Sequence, residues 1–411
     1  MDCLRTPVAP NRRTVLIGLA GACVASTGRA GPSAWPRTAA LLGGYVDAGK
    51  LAGGCVTIRR GAQVSVLTRG AGALGGPPVN ERTLWRIFSM TKPVTGVAAL
   101  ALIEERKLGL DQPVADFIPA FANPQVLEAD GALRPARTRM TVRHLLTHTA
   151  GLGYAIVPDA VGKRYEAASL TPGDPTPRPA APRSLEEFGE RLAREPLIAD
   201  PGTRYQYSVS LDLLGLVIQN ASGTPFGRYL RHRLFDPMAM TDTGFQVSES
   251  QKARLAQNYE VRDGGIAPLE PEGQSPYLAA PPYPSGGGGL VSSARDYDRF
   301  CAMLLADGAF DGRQVIARAT ARRARSNLLP RSVPGEDGAV MGAGMGVVTE
   351  ASAQAGGPPP GSAYWGGAAG TSMWIDPVND LSVVLMTQFM PSRAYPLWDE
   401  LPRAVYADLA A

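Results

Sequence analysis

The sequence predicts an α/β fold: one antiparallel sheet flanked by helices, built from both chain ends, with a mostly helical domain inserted between them. Two hairpin patterns and the stretch separating them carry this expectation. Near the start, GGCVTIRRGAQVSVLTRG (Gly53 to Gly70) consists of β-rich runs around a turn at Arg60-Gly61. Near the end, AYWGGAAGTSMWIDPVNDLSVVLMTQFM (Ala363 to Met390) holds two more β-rich runs joined by Asp376-Pro377-Val378-Asn379-Asp380. Most of the chain between them shows helical patterning.

The elements follow in order. A largely apolar helix is expected over Leu84–Leu108, closed by Gly109. TVRHLLTHTAGL predicts a short helix between Thr141 and Gly151. The segment 153–183 is rich in Pro, Gly and Ala with little periodicity, and reads as a long loop. Ser184 stands three residues before Glu187, a capping-box pattern at the start of another helix. Further helices are expected at Leu211–Ala221 and Pro225–Leu234. The four glycines of YPSGGGGLVSSARDY lead into a helix capped by Ser292 or Ser293; no Lys-Ser/Thr follows them, so they read as a close-packed turn rather than a phosphate cradle. The expected organisation is therefore 1–30 as an export signal, 31–90 with 290–411 as the α/β domain, and 91–289 as the mostly helical domain. The active site is expected between the two domains.

Charge and cysteines narrow the function classes. Of the formal net charge of +4, the first thirty residues supply +3, from Arg5, Arg12, Arg13 and Arg29 against Asp2. The remainder is close to neutral, which excludes the electrostatic footprint of a nucleic-acid-binding protein. NRRTVLIGLAGACVASTGRA places Arg12-Arg13 before the apolar run Val15–Ala25, with small residues after it. That run is too short to span a bilayer. It reads as an export signal of twin-arginine type, predicting a periplasmic mature chain starting near Gly31. An overlong start on a cytosolic protein is the alternative, and Ala20 disfavours a lipoprotein signal at Cys23. Cys3 and Cys23 fall within the signal; Cys55 and Cys301 have apolar surroundings and are expected as buried free thiols, with a disulfide between them left open.

The chemistry-bearing residues are few. His144 and His148 lie four apart, as two zinc ligands on a helix would, but Leu145 stands where the metalloprotease glutamate belongs. A structural role for both is expected, and no metal. No serine sits in a G-x-S-x-G nucleophile elbow. Ser89-Met90-Thr91-Lys92 is different. The chain has five lysines, and this one heads an apolar helix, although desolvating an ammonium costs several kcal/mol. Lys92, three residues after Ser89 on one helix face, is within reach of its hydroxyl. Apolar surroundings would turn the amine into a base, and the helix N-terminus would favour an oxyanion. The rival reading is a capped helix whose lysine snorkels to solvent, and these residues alone leave both open.

Three further stretches bear on that choice. Tyr207-Ser208-Val209 heads a helix in YQYSVSLDLLG, LLTHTAGL precedes it, and YWGGAAGT follows it. Together with Ser89-Met90-Thr91-Lys92 and the linking PMAMTDTGF, this order resembles the serine β-lactamase and penicillin-binding protein superfamily across nearly all of residues 40–400. Within it, the chain is most similar to the class C β-lactamase-like carboxylesterases called family VIII. The resemblance implies Ser89 as the acylated nucleophile, Lys92 as its partner, and Tyr207 as the phenol that moves the proton. Tyr205 is the competing tyrosine and lacks the following serine. Trp365-Gly366-Gly367 matches the third motif of the superfamily, and Ala368 would supply the second oxyanion-hole N–H beside that of Ser89.

Two departures shape the expected substrate. Val209 stands where β-lactamases have asparagine, and Trp365 where they have lysine, a pattern shared by family VIII. An indole suits a neutral acyl or alkoxy group better than a carboxylate. The resemblance thus implies a serine hydrolase of small-molecule, preferably short-chain, esters that works through an acyl-serine and needs no cofactor. Weak β-lactamase or acyltransferase activity is a close variant. A β-lactamase or D-amino-acid peptidase, and a penicillin-binding-type protein that acylates once without turnover, are the rivals.

Overall fold

The structure, a computed structural model, describes residues 34–171, 180–271, 273–335 and 337–411. The run LSVVLM is a strand, Leu381–Met386, buried along its whole length. A continuously apolar strand requires cover on both faces. Leu381, Val383 and Leu385 face a cluster containing Leu42, Leu401 and Val405 of the two terminal helices, Pro36–Asp47 and Leu397–Leu409. Val384 and Met386 face the opposite way, into the larger cluster with Cys55 and the Phe300 and Cys301 of helix Ala294–Leu305. Cys55 and Cys301 are both free and buried.

This strand is near the middle of a seven-stranded antiparallel sheet. The order runs Val340–Met341, Gly346–Val347, Ala363–Gly366, Ser372–Asp376, Leu381–Met386, Gly53–Arg60, Gln63–Gly70. Gly53–Arg60 pairs with Leu381–Met386 in a register that sets Cys55 opposite Met386 and Arg60 opposite Leu381. The N-terminal hairpin therefore joins a sheet whose other members come from the last quarter of the chain. Asp408 ties the ends further. Its buried carboxylate accepts the N–H groups of Arg37 and Thr38 at 3.0 and 2.9 Å, satisfying orphan donors of the first helix from the last one. Arg59 forks onto Asp298 at 3.1 and 2.6 Å, fastening the sheet to helix Ala294–Leu305. Ala34–Ala411 form one compact unit.

The expected helix over Leu84–Leu108 is shorter than its apolar pattern. Leu84–Arg86 is a strand paired with Val291–Ser293, Phe88–Met90 is a single tight turn, and the helix runs Thr91–Glu104. A strand of three residues whose partner lies some two hundred positions away leaves no local periodic signal. At the other end, Arg106 takes a left-handed conformation at φ 61 and stops the helix before Gly109. The segment 153–183 is also not all loop. Ala160–Ala167 is a helix capped by the Asp159 carboxylate, which accepts from Gly162 N–H at 2.6 Å, and its Val161 and Tyr165 are buried. The expected helix Pro225–Leu234 is Phe226–Leu230 followed by a wider turn over Arg231–Phe235. Ser184 accepts from Glu187 N–H as expected of a cap, while the Glu187 carboxylate takes the N–H of Arg183. Ser293 is the residue that caps helix Ala294–Leu305. Residues 1–30, with their expected export signal, and 172–179 of the Pro-rich segment lie outside the described residues.

Helix Thr91–Glu104 is buried all round from Thr91 to Leu102. Gly96 makes this close packing feasible, since an added Cβ would lie 2.2 Å from the Ala343 carbonyl oxygen. Gly96→Ala is expected to destabilise the protein by about 1–3 kcal/mol despite its better helix propensity. The urea midpoint reads this, and an unchanged or raised midpoint would contradict the packing described.

Candidate active site

Ser89 occupies the tight turn ahead of the helix, directly after Phe88, whose φ of 42 is costly for a bulky residue. The turn exposes the Ser89 hydroxyl to a cavity of about 1380 Å³ while Lys92, one turn on, is wholly buried beneath it. Lys92 Nζ donates to Ser89 Oγ at 3.1 Å and to the Gly287 carbonyl at 2.6 Å. It lies 4.7 Å from the centre of the Tyr207 ring and 5.7 Å from that of Tyr154. Lysine is thus held as the apolar pattern implied, inside the protein rather than snorkelling out. Tyr207 completes the group, with its hydroxyl 2.6 Å from Ser89 Oγ.

The segment carrying Tyr207 is held by His148. The backbone N–H of Ser208 donates to His148 Nδ1 at 3.2 Å, Gln206 N–H donates to the His148 carbonyl at 2.9 Å, and the Ser208 hydroxyl bridges that ring to Ser210. Burial, then the nearby Lys92 charge, holds the His148 pKa well below its ordinary value, so the ring is neutral. His148 stacks on Trp365 at 6.4 Å and 9° and tilts against Tyr207 at 4.9 Å, an aromatic wall that steadies the phenol. His144 acts elsewhere, where its Nδ1 accepts the Thr141 N–H in a helix cap. The two histidines share no ligand geometry, and no group of three metal-ligating side chains occurs among the described residues.

The third motif comes from the other end of the chain. Strand Ala363–Gly366 brings Trp365, Gly366, Gly367 and Ala368 to the cavity opposite Ser89. Gly367 N–H donates to Thr371 O at 2.8 Å, and an added Cβ would lie 2.3 Å from both the Ile87 carbonyl oxygen and Thr371 Oγ1. Only glycine allows this strand end so near the serine turn. Trp365 is half-buried, with its Nε1 enclosed, so the ring rather than the N–H faces the cavity. Tyr205 also lines the cavity, but the hydroxyl that meets Ser89 is that of Tyr207.

Val209 departs from expectation. It is fully buried in the core and does not line the cavity, because the helix beginning at Ser210 turns it inward while its N–H donates to Gly153 O at 3.1 Å. Two further contributors escape sequence reading. The glycine run places the Gly287 carbonyl on Lys92, and buried Asp212 accepts the Gly287 N–H at 3.0 Å. The only signals in the chain were four successive glycines, and a carboxylate five residues after Tyr207 on an otherwise apolar helix.

The β-lactamase family model matches residues 38–406. The chain belongs to the β-lactamase family. Within the family, it is 32% identical over 409 residues to Esterase EstB of Burkholderia gladioli, covering 92% of this chain and 98% of that one. The solved structure of EstCE1, described as a hydrolase with promiscuous acyltransferase activity, is 29% identical, with a TM-score of 0.77 over 90% of this chain and 97% of the other. A β-lactamase/D-alanine carboxypeptidase from Yersinia pestis shares the fold with a TM-score of 0.65, covering 90% and 99%, at 21% identity. The antiparallel sheet with flanking helices described above is that family's fold.

Proposed function

We propose that the protein hydrolyses carboxylic esters through an acyl-enzyme formed on Ser89. One observation carries the reading: a cavity-facing serine hydroxyl in hydrogen-bond contact with both a buried lysine and a tyrosine. The Lys92/Tyr207 pair takes the Ser89 proton as Oγ attacks the ester carbonyl. The N–H groups of Ser89 and Ala368 receive the oxyanion, at a helix start and a strand end respectively. The same pair returns the proton to the leaving alkoxide and then activates the water that frees the acid. EstB and EstCE1 support this reading by name.

The reading extends to substrate, organisation and location. The substrate lies between the sheet-bearing segments 31–90 and 290–411 and the mostly helical 91–289. Trp365 walls the acyl site with an aromatic face, suiting a short neutral acyl chain. The cavity is larger than such a chain fills, and exposed Ile156, Leu269 and Tyr364 line it. These fit a bulky alcohol portion, so transfer of the acyl group to an alcohol is the second reading, in keeping with the description of EstCE1. Residues 1–30 direct the chain out of the cytoplasm, and no helix among the described residues is long and apolar enough to cross a membrane.

An ester panel against β-lactams tests the proposal. A β-lactam carboxylate needs a charged partner, and the position matching the superfamily lysine offers the Trp365 ring. kcat/KM for p-nitrophenyl butyrate is expected to exceed that for benzylpenicillin or a cephalosporin by at least about 10²-fold, the effect of one lost charged hydrogen bond. Trp365→Lys narrows the gap. Equal efficiency on a cephalosporin and the best short ester would replace the esterase reading with a β-lactamase.

A further inference from the structure

Behind Lys92 stands a carboxylate that the mechanism above does not use. Asp212 lies in the first turn of helix Ser210–Ser222 and is fully buried. Its Oδ1 accepts the Ser285 hydroxyl at 2.5 Å and the Gly287 N–H at 3.0 Å, while Oδ2 has no hydrogen-bond partner among the described residues. The loop is pressed onto this turn: a Cβ at Gly287 would lie 2.3 Å from Asp212 Oδ2, and one at Gly286 would lie 2.4 Å from the Leu211 carbonyl oxygen. From there the Gly287 carbonyl reaches Lys92 Nζ at 2.6 Å, and Nζ reaches Ser89 Oγ at 3.1 Å. An unbroken path of contacts joins the carboxylate to the nucleophile.

A neutral amide would hold the loop as well, since one oxygen accepts both bonds. Burying a full charge for that purpose alone is costly. The cation opposite is Lys92, whose field works against the desolvation that pushes the Asp212 pKa up. The other titratable groups facing this cluster are Tyr207 and Tyr154 on the cavity side, Tyr283 before the glycine loop, and His148. Burial keeps Tyr154 and Tyr283 as phenols and His148 as neutral imidazole. Lys92 and Asp212 are therefore the amine and the carboxylate of this cluster, joined through the Gly287 peptide group.

We propose that Asp212 is a positioning residue for the Ser89 reaction: it fixes Ser285–Gly287 so that the Gly287 carbonyl aims Lys92 at Ser89, and its charge opposes that of Lys92 in the dry interior. This rests on the serine-hydrolase reading, and Asp212 itself touches neither substrate nor Ser89.

Asp212→Asn keeps the acceptor and removes the charge, while Ser285→Ala keeps the charge and loosens the loop. For p-nitrophenyl butyrate, Asp212→Asn is expected to lower kcat on the order of 10–100-fold with KM nearly constant. It also moves the acidic limb of kcat/KM to lower pH, because removing a buried carboxylate disfavours the protonated form of the base that acts on Ser89. Ser285→Ala lowers kcat by a smaller factor and leaves the limb in place. A merely structural aspartate would lower the melting temperature without moving the limb. Native kcat in Asp212→Asn, or a slower enzyme with an unmoved limb, overturns the proposal; if that variant does not fold, native kcat in Ser285→Ala overturns it instead. Ser89→Ala separates the two levels. Ester turnover surviving in Ser89→Ala sinks the hydrolase reading, whereas a dead Ser89→Ala beside an unaffected Asp212→Asn sinks this proposal alone.

Discussion

Ser89→Ala is expected to lower ester turnover to below about 10⁻⁴ of the native rate, since the proposed acyl-enzyme forms on its Oγ. The fold should survive the change. Lys92 Nζ keeps the Gly287 carbonyl as acceptor when Oγ is lost, and the Tyr207 hydroxyl stands at the cavity wall. Loss of a partly buried hydroxyl is worth about 1 kcal/mol at most here. Intact-protein mass spectrometry after a fluorophosphonate should show one adduct on the native chain and none on the variant. An adduct on the variant, or turnover within tenfold of native, moves the nucleophile elsewhere.

The second large effect concerns the proton path. Lys92→Met and Tyr207→Phe should each cost about 10²–10³-fold in kcat, the usual worth of a positioned proton-transfer group. Both side chains contact Ser89 Oγ, from 3.1 and 2.6 Å, and in the proposed reaction they share its proton. The double variant should therefore lose far less than the product of the single losses. Steady-state kinetics on the four enzymes decides it. Full additivity would separate the two roles and return Tyr205, which lines the same cavity, to consideration.

How much of this could be read from the chain depends on how local each signal is. The two hairpins were legible because period, turn and partner lie within a few tens of residues, as in Gly53–Gly70. Ser89, Lys92 and Tyr207 were legible as a pattern, and the structure brings their polar atoms together. Leu84–Arg86 was not, because its strand pairing with Val291–Ser293 is non-local and its apolar residues match a helix equally well. Ala160–Ala167 hid in a composition that reads as loop, and its one local sign was the Asp159 cap. Val209 misled in a different way: its position in the motif points to substrate, whereas its side chain turns into the core. Asp212 and Gly287 matter through each other, across more than seventy residues, and neither has a meaning in its own neighbourhood.

The place of strand Leu381–Met386 near the middle of the sheet has a consequence for biosynthesis. Its residues leave the ribosome last among the seven strands, yet Gly53–Arg60, made among the first and paired on one edge with Gln63–Gly70, has no partner for its other edge until they arrive. The Ile87 carbonyl, two residues before Ser89, likewise waits for Thr371, 284 positions downstream. A nascent chain can complete Ser89, Lys92 and Tyr207 in sequence and still lack the wall that would receive the oxyanion. A chain that stops before Ala363 lacks the strand that carries Trp365 to the cavity.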